Sequence, residues 1–314
     1  MSTDTDTATG TVVENHGALF DVLVERRVVK CLLRGKLKKD RRREVAPVAA
    51  GDVVTVRMLE HGRGVIEAVL PRSSGLSRRA AGSEPLQHTL VANVQQAIIV
   101  FAAAEPRPDL FKLDRFLVAA IAGGLEPLVC VNKVDLVDGE LLRAGRGDAG
   151  ASPLLQFAVY RQCGFRVLFA SAVRGDGLPD VEEVLRDRRS VICGPSGVGK
   201  SSLLNAIAPG LHLRTAEVGG VTHKGRHTTS SIAFLQLPFG GWVADTPGLR
   251  QLSFLEIAQE HIATAFPDVT SHLGGCRYAN CSHRDDPGCA LREAVQRGEV
   301  EGRRVKSWLE MGGR

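Results

Sequence analysis

Residues 191–205 read VICGPSGVGKSSLLN and predict a strand, a glycine-rich loop and a helix in direct succession. The loop has the pattern GxxxxGK[ST], in which glycines let backbone amides turn inward around a phosphate while the helix start adds its positive dipole end. We expect Lys200 to reach the β- and γ-phosphates and the Ser201 hydroxyl to bind Mg²⁺. The residues predicted to hold the phosphates are Gly194, Pro195, Ser196, Gly197, Val198, Gly199, Lys200, Ser201 and Ser202. The alternative is a glycine loop with a purely structural role, and the pattern alone does not distinguish ATP from GTP.

The composition is that of an ordinary globular protein. Of the 314 residues, 44% are hydrophobic and 24% are charged, and this length allows two or three domains with a sizeable core. No uncharged apolar stretch approaches the ~18 residues of a membrane span, and the N-terminus lacks a basic segment followed by an apolar one. We therefore expect a cytoplasmic protein with no membrane contact. A monomer is expected as well.

Short strands dominate the first part of the chain. We expect residues 1–10 to be a disordered tail, followed by a small closed β-barrel of the OB type over residues 11–72. The strand segments are TVVE, ALFDVLVE, VVKCLLR, DVVTVRMLE and GVIEAVL, separated by Gly, Asn, Asp and basic turns. Barrels of this type often bind oligonucleotides through their loops.

One predicted loop of this barrel is strongly basic. Residues 34–43 read RGKLKKDRRR, with seven basic side chains in ten positions. A polyanion stabilises such a charge cluster, because binding to a phosphate backbone releases counterions. The alternative is a solvated, mobile loop, and the absence of aromatic residues means that it would position RNA rather than read its sequence. The predicted RNA contacts are Arg34, Lys36, Lys38, Lys39, Arg41, Arg42 and Arg43.

A second domain is expected after a polar, basic linker at residues 73–87. In the domain, at residues 88–253, the apolar strand QAIIVFAA at 96–103 is followed by a helix at 113–122 and the strand PLVCV at 127–131. Strands that alternate with helices indicate a mostly parallel sheet covered by helices on both faces.

Two short motifs at strand ends favour guanine over adenine. NKVD follows the strand at 127–131, and SA follows the strand RVLFA at 166–170. The Asp135 carboxylate can accept hydrogen bonds from N1–H and the 2-amino group of guanine, whereas adenine presents the opposite pattern at that edge. Ligands of α/β sheets lie beyond the carboxyl ends of the strands, where these loops and the glycine-rich loop can converge. The residues predicted to bind the base are Asn132, Lys133, Val134, Asp135, Ser171 and Ala172.

The segment after the glycine-rich loop has the composition of a switch. Residues 211–231 are rich in Gly, His, Thr and basic residues without clear periodicity, which is typical of a disordered or switching loop. The hydroxyls of Thr228 and Thr229 are available to Mg²⁺ or the γ-phosphate. A strand pair then leads into DTPG, where Asp245 can hold Mg²⁺ through water and the Gly248 amide can sense the γ-phosphate. In isolation, DTPG is also a plausible Asp-Pro-Gly turn.

The five elements GPSGVGKS, GRHTT, DTPG, NKVD and SA occur here in a permuted order, with NKVD and SA before the glycine-rich loop. This order, together with the N-terminal barrel and a cysteine- and histidine-containing tail, closely resembles the RsgA family of small-ribosomal-subunit-dependent GTPases over nearly the whole chain. The resemblance implies a multidomain α/β protein with an OB-fold barrel, a circularly permuted P-loop GTPase domain and a C-terminal zinc-binding domain. It further implies GTP hydrolysis stimulated by the small ribosomal subunit and its rRNA during late maturation, alongside other maturation factors.

The tail carries a candidate zinc site. Its spacing is C-x4-C-x-H-x5-C, and three thiolates and one imidazole suit a closed tetrahedral structural site. The ligands, which also match the tail of the family, are Cys276, Cys281, His283 and Cys289. The alternative is a set of reduced cysteines without metal. The other cysteines, expected to be reduced core residues, are Cys31, Cys130, Cys163 and Cys193.

The tail is expected to form a domain at residues 254–314. We expect metal binding to supply much of its folding free energy, because so short a segment buries little core. Helices are predicted near 290–297 and 300–311. Basic residues expected to expose further positive charge are Arg292, Arg297, Arg303, Arg304 and Lys306. The segment 254–266 joins DTPG to this domain, so movement of that switch can pull on the tail.

The usual catalytic glutamine is absent from the position after the DxxG glycine. Many GTPases orient the attacking water with a glutamine after the DxxG glycine, but this chain has Leu249 there, which predicts slow intrinsic turnover. Our hypothesis is that His227 enters the site when the ribosome orders the switch loop; the alternative is that it only contacts RNA or solvent. Lys200, Thr228 and Thr229 complete the predicted catalytic set.

Two other function classes remain open. An ATP-using P-loop kinase or ATPase would share Lys200 and Ser201 but would have no use for Asp135. A non-enzymatic RNA-binding zinc protein would hold the nucleotide only as a structural or regulatory ligand.

Overall fold

The computed structural model describes residues 7–35, 37, 47–59, 62–79, 87–137, 154–211, 232–245 and 258–313. Its first five strands form a closed barrel, as predicted. They are β1 (Thr7–Asn15), β2 (Leu19–Val24), β3 (Arg27–Leu33), β4 (Val53–Met58) and β5 (Arg63–Val69). Strand β1 pairs with both β2 and β4, and β5 pairs with both β3 and β4, which closes the ring. Alternate residues such as Val22, Val54 and Ile66 point inward and are fully buried.

The prediction of a disordered tail at residues 1–10 is wrong for its last four residues. Strand β1 begins at Thr7, and its first residues pair with β4 from Thr7 opposite Arg57 to Gly10 opposite Val54. Backbone hydrogen bonds need no apolar side chain, so the polar composition of this stretch concealed the strand. At Gly10 a side chain would be excluded, because an added Cβ would lie 2.6 Å from Cγ1 of Val22.

The predicted linker at residues 73–87 is wrong at its two ends, which belong to a two-stranded hairpin. Strands β6 (Gly75–Arg79) and β7 (Gln87–Ala92) pair in antiparallel fashion, and residues 80–86 lie outside the described residues. Leu76 and Val91 are buried against the second domain. The few apolar residues of this hairpin suffice because the neighbouring domain covers them.

The second domain is built on a six-stranded sheet. Strands β8 (Gln96–Ala102), β9 (Glu126–Asn132), β10 (Arg166–Phe169), β11 (Arg189–Cys193), β12 (Ala233–Gln236) and β13 (Trp242–Asp245) lie in the order β10-β9-β8-β11-β13-β12. The first five positions are parallel, and β12 is antiparallel to β13. A bridge between Glu14 and Ala233 joins this sheet to the barrel. All seven residues of β8 are buried, as expected for a central parallel strand.

Helices cover both faces of the sheet. They are α1 (Leu110–Ala122), α2 (Ala158–Gln162), α3 (Leu178–Leu185) and α4 (Lys200–Ile207), with short 3₁₀ turns at Val134–Leu136, Leu155–Phe157 and Pro209–Leu211. Helices α1 and α2 pack with Ile99 of β8 on one face, whereas α3 and α4 pack with Ile98 on the other. The doubly covered α/β architecture predicted for this domain is confirmed. Helix α1 begins earlier than predicted because the Asp109 side chain caps it by accepting from the Lys112 amide.

In residues 258–313 the structure has four short helices around a small core. They are α5 (Gln259–Ala265), α6 (Pro267–Thr270), α7 (Ala290–Gln296) and α8 (Gly302–Glu310). Phe266, Leu291 and Trp308 form this core, and Val118 of α1 packs into it. Within the described ranges, none of the helices combines the length and the apolar character needed to cross a membrane.

One expectation for this region is wrong. Arg304 has no exposed surface, and Arg303 is half-buried, although both were expected to expose positive charge. A sequence pattern does not reveal that two acidic residues, Asp114 and Asp268, lie within reach of these guanidinium groups.

Candidate functional site

The glycine-rich loop lies between β11 and α4, at the carboxyl edge of the sheet. Gly194, Gly197 and Gly199 have φ angles of 134°, 79° and 89°, in the region that favours glycine. An added Cβ at Gly194 would lie 2.1 Å from the Val100 carbonyl oxygen, so the loop passes directly over β8. The Lys200 ammonium donates to the carbonyl oxygens of Gly194 and Pro195, at 2.9 and 2.7 Å. Its charge is therefore held inside the loop, where phosphates bind in proteins with this motif.

Asn132 joins the three predicted nucleotide loops. Its Nδ2 donates to the Val198 carbonyl oxygen of the glycine-rich loop at 2.9 Å, across 66 positions of sequence. Its Oδ1 accepts from the Ala172 amide at 3.2 Å. The side chain is only 1% exposed, so each of these bonds satisfies a buried polar group. At Gly199 an added Cβ would approach Asn132 Nδ2 to 2.5 Å, which shows how closely the loops pack.

The carboxylate expected to recognise the base is held by the second base loop. Ser171 donates its hydroxyl to Oδ1 of Asp135 at 2.6 Å, and the same hydroxyl accepts from the Arg174 amide at 3.0 Å. Asp135 lies in the 3₁₀ turn Val134–Leu136, whose first amide donates to the Ala170 carbonyl oxygen at 3.2 Å. The structure therefore brings the NKVD and SA motifs together.

The loop after β8 also belongs to this site, and sequence reasoning missed it. Lys133 has a left-handed backbone, with φ 62° and ψ 37°, and its ammonium donates to the Glu105 carbonyl oxygen at 2.7 Å. Pro106 lies close to the glycine-rich loop, since its Cδ would be 3.7 Å from a Cβ added at Gly197. The one available signal was position, because residues 103–109 leave the sheet at the same carboxyl edge.

Several predicted site residues fall outside the described residues. Asp245 ends β13, opposite Ile192 of β11, so its backbone lies beside the strand that enters the glycine-rich loop. Its side chain is not described. His227, Thr228, Thr229, Gly248 and Leu249 also lie outside the described ranges.

The four predicted zinc ligands cluster in the C-terminal region. The ligand atoms of Cys276, Cys281, His283 and Cys289 all lie within 4.8 Å of one another. The His283 Nδ1 is 3.6 Å from the sulfur of Cys276 and 3.7 Å from that of Cys289. Tetrahedral zinc, with bonds of about 2.3 Å to sulfur and about 2.1 Å to nitrogen, separates such atoms by about 3.6 Å. The residues present therefore fit a closed zinc site.

The surroundings orient these ligands. The backbone of His283 is left-handed at φ 61°, and its ring meets that of Trp308 edge-on at 5.7 Å. Desolvation and the neighbouring sulfurs raise the pKa of the Cys281 thiol to about 11. Desolvation also acts on Cys276, but hydrogen bonds from the Ala290 amide and the other two cysteines leave the pKa of its thiol below the ordinary value. A bound cation would lower the pKa of all three thiols.

Most of the basic loop at residues 34–43 lies outside the described residues. Of its seven predicted RNA contacts, only Arg34 falls within the described residues. Its guanidinium donates to Oε2 of Glu67 at 3.1 Å while the side chain stays 56% exposed. An exposed pair of this kind contributes little to stability, so Arg34 remains available to another anion.

Comparisons with known proteins agree with this arrangement. The RsgA GTPase family model matches residues 69–255, and the RsgA N-terminal domain model matches residues 9–66. The chain is 42% identical over 300 residues to the small ribosomal subunit biogenesis GTPase RsgA of Moorella thermoacetica, covering 96% of this chain and 94% of that protein. It is 40% identical over 310 residues to the protein of the same name from Gemmatimonas aurantiaca, covering 98% and 97%.

Solved structures give the same result. The crystal structure of YjeQ from Thermotoga maritima matches with a TM-score of 0.73 and 32% identity, over 98% of this chain and all of that one. YloQ, described as a circularly permuted GTPase, matches with a TM-score of 0.67 and 28% identity, over 99% and 96%. The fold, the convergence of the three nucleotide loops and these matches together show that the chain belongs to the RsgA GTPase family.

Proposed function

We propose that this protein hydrolyses GTP on the small ribosomal subunit and assists late maturation of that subunit. The observation that carries the proposal is the pair of hydrogen bonds by which the buried Asn132 side chain donates to Val198 and accepts from Ala172, because they hold the three predicted nucleotide loops at one edge of the sheet. The relatives from Moorella thermoacetica and Gemmatimonas aurantiaca are named small ribosomal subunit biogenesis GTPases, which supports the choice of partner.

Each loop has a distinct task in this proposal. The Asp135 carboxylate accepts from N1–H and the 2-amino group of guanine, and the bond from the Ala172 amide to Asn132 holds the SA loop beside it. The hydrogen bond from Ser171 orients the carboxylate in advance of binding. Lys200 moves from the loop carbonyls to the β- and γ-phosphates, while Ser201 and Asp245 hold Mg²⁺. The amide of Gly248 senses the γ-phosphate. This assignment leaves an ATP-using kinase without support, because adenine offers Asp135 no matching donors.

Catalysis is proposed to need the ribosome. Leu249 cannot orient a water molecule, so His227 takes that part when the subunit orders the switch that contains Thr228 and Thr229. Single-turnover hydrolysis by a His227→Ala variant on small subunits tests this role, with His223→Ala in the same segment as the control. Loss of the stimulated rate in the first variant alone supports the role, whereas unchanged chemistry at full subunit binding removes it.

The C-terminal domain and the basic loop are proposed to attach the protein to the small ribosomal subunit. Zinc bound by three thiolates and an imidazole stabilises the C-terminal domain and leaves no open position for catalysis. The basic loop, which includes Arg34 and Arg41, binds rRNA phosphates and makes subunit binding salt-dependent. We expect the protein in the cytoplasm with the ribosomal subunits, as a monomer that meets other maturation factors there. The segment 254–266 is proposed to transmit switch movement to this domain.

The deciding experiment measures GTP hydrolysis with and without purified small subunits, with large subunits as the control. We expect slow turnover alone and a marked increase with small subunits only. A rate that is unaffected by small subunits would contradict the proposal. Equal subunit binding with GTP, GDP and no nucleotide would instead favour an RNA-binding zinc protein that holds the nucleotide as a structural ligand.

A further inference from the structure

A fully buried arginine links the C-terminal domain to the GTPase domain. Arg304 of α8 has no exposed surface and donates to Oδ1 of Asp114 on α1 at 2.6 Å. It also forms a two-point contact with the Asp268 carboxylate, at 3.0 and 2.8 Å, and donates to the Ala265 carbonyl oxygen at 2.8 Å. The guanidinium lies 4.1 Å from the centre of the Phe266 ring. Every side of this cation is therefore occupied.

The Asp114 carboxylate also accepts hydrogen bonds from a second arginine and from a tyrosine. Arg303 donates to Oδ2 of Asp114 at 3.1 Å, and the Tyr160 hydroxyl donates to Oδ1 at 2.8 Å. The hydroxyl of Tyr160 also lies 3.3 Å from the carbonyl oxygen of Leu110, the first residue of α1. Desolvation and the Asp114 charge raise the pKa of Tyr160 well above its ordinary value, so this hydroxyl keeps its proton. We call Asp114, Tyr160, Arg303 and Arg304 the interdomain cluster.

The two helices that the GTPase domain contributes to this cluster, α1 and α2, are those that lead into the base-binding loops. Helix α1 precedes β9, which ends in Asn132, and α2 precedes β10, which is followed by Ser171. The loop before α1 contributes the Glu105 carbonyl oxygen to Lys133 and places Pro106 beside the glycine-rich loop. A shift of α1 or α2 would therefore move the groups that surround the guanine.

We propose that Arg304, Asp114 and Tyr160 are positioning residues for guanine recognition, so that docking of the C-terminal domain sets the affinity of the GTPase domain for the base. The inference rests on the proposed function, in which Asp135 binds guanine. Buried charge pairs are strongly destabilised when one partner changes, so this cluster has few alternative arrangements. By thermodynamic linkage, a partner that pulls the C-terminal domain from α1 weakens guanine binding, and bound nucleotide resists that pull.

The test compares binding of GDP with that of inosine diphosphate, which lacks the 2-amino group that Asp135 recognises. Calorimetry is performed on the full zinc-loaded chain for the wild type, Arg304→Lys and Tyr160→Phe. The matched control is Arg72→Lys, because Arg72 also makes a two-point contact, at 2.7 and 2.9 Å, with a fully buried carboxylate, that of Asp52 near the barrel.

We expect Arg304→Lys to weaken GDP binding about tenfold, within the usual range of coupling between sites. Binding of inosine diphosphate should weaken less, so the preference for GDP falls. Tyr160→Phe removes one hydroxyl and should change the preference in the same direction by a smaller factor, whereas Arg72→Lys should leave it unchanged. A merely structural role would weaken both nucleotides by the same factor.

The possible outcomes distinguish failure of the positioning role from failure of the proposed contact between Asp135 and guanine. An unchanged preference in Arg304→Lys and Tyr160→Phe, with one zinc per chain, overturns the positioning role. If Arg304→Lys loses its zinc or its cooperative unfolding, Tyr160→Phe alone decides, because it keeps every charge of the cluster. If the wild type itself does not prefer GDP to inosine diphosphate, the proposed base contact fails and the positioning role fails with it.

Discussion

The nucleotide edge of the GTPase domain and the C-terminal domain are stabilised in different ways. The first rests on a central strand, β8, in which all seven residues are buried, and on loops joined by hydrogen bonds such as those of Asn132. The second has, in residues 258–313, four short helices, a small core around Trp308, four candidate metal ligands and the interdomain cluster. The nucleotide edge is therefore pre-organised by packing, whereas the C-terminal domain depends on a few strong polar contacts.

Loss of zinc should produce the largest difference in stability between the two regions. In a Cys281→Ser variant, or after chelation, we expect the C-terminal helices to unfold, because structural zinc sites contribute on the order of 10 kcal/mol of apparent binding free energy. The GTPase domain should keep its sheet. Hydrogen exchange read by mass spectrometry would show fast exchange in residues 258–313 and unchanged protection in β8.

The control for this experiment is Cys163→Ser, a half-buried thiol outside the metal cluster. It should retain one zinc per chain. If residues 258–313 stay protected in the zinc-free Cys281→Ser variant, the C-terminal domain is stabilised by its core and the comparison is wrong.

Substitution of Asp135 should affect the nucleotide edge alone. Asp135→Asn removes the charge and replaces one of the two oxygens that accept from guanine by a donating amide, so we expect GDP affinity to fall by about 10²-fold or more, since each hydrogen bond to a charged group contributes about 1.5–3 kcal/mol. Xanthosine diphosphate has a carbonyl oxygen in place of the 2-amino group, so it should bind the variant better than the wild type, because the new side-chain amide can donate to that oxygen. Competition binding with both nucleotides measures this exchange of preference.

Asp176→Asn is the matched control, because this carboxylate lies in the second base loop but is half exposed and pairs with Arg174. Its nucleotide preference should match that of the wild type. Weak guanine binding by both variants would indicate a general effect of charge on this edge rather than recognition by Asp135.

Removal of the Asn132 side chain should lower the free energy of unfolding, because it breaks the hydrogen bonds between the predicted nucleotide loops. Asn132→Ala leaves the buried Val198 carbonyl oxygen and the Ala172 amide without their partner, and we expect a loss of about 2–3 kcal/mol in unfolding free energy. Asn132→Asp keeps an acceptor for Ala172 but buries a charge against the Val198 carbonyl oxygen, so it should be at least as destabilising as Asn132→Ala. Urea unfolding of the three proteins gives the values, and equal stability of all three would contradict the joining role.

Thiol reactivity should also distinguish the packed sheet of the GTPase domain from the C-terminal domain, and this is the smallest of the expected effects. Burial raises the pKa of Cys130 and Cys193 to about 12, so at pH 8 only about one thiol in ten thousand is ionised. Because the pKa is raised, reactivity stays low until the pH approaches that value. Iodoacetamide labelling should spare both cysteines, whereas a chelator should expose three further sites, Cys276, Cys281 and Cys289. Labelling of Cys193 in the folded protein would show that β11 opens.

Much of the candidate nucleotide site was predictable because its residues follow buried strands. Asn132 and Ser171 come directly after apolar runs, and parallel strands bring their carboxyl ends to one edge. The barrel strands and the spacing of the metal ligands were predictable for similar reasons, since both are patterns of side chains along the chain.

The features that the sequence did not predict depend on contacts between residues that are distant in the chain or on backbone groups. Nothing near Arg304 in the sequence distinguishes it from a solvated cation, and only the fold places Asp114 beside it, 190 positions away. The Glu105 carbonyl oxygen that binds Lys133 is a backbone atom, which every residue type offers. The first residues of β1 escaped prediction because their ladder to β4 is made by backbone groups.

The central claim is that loops from distant parts of the chain close over one guanine nucleotide. Calorimetric titration of the purified wild-type protein with GDP and with ADP tests it most directly. We predict that GDP binds at least about a hundredfold more tightly, because a site built to hydrogen-bond a ligand rejects one that leaves its polar groups unpaired. Comparable affinity for the two nucleotides would contradict the claim.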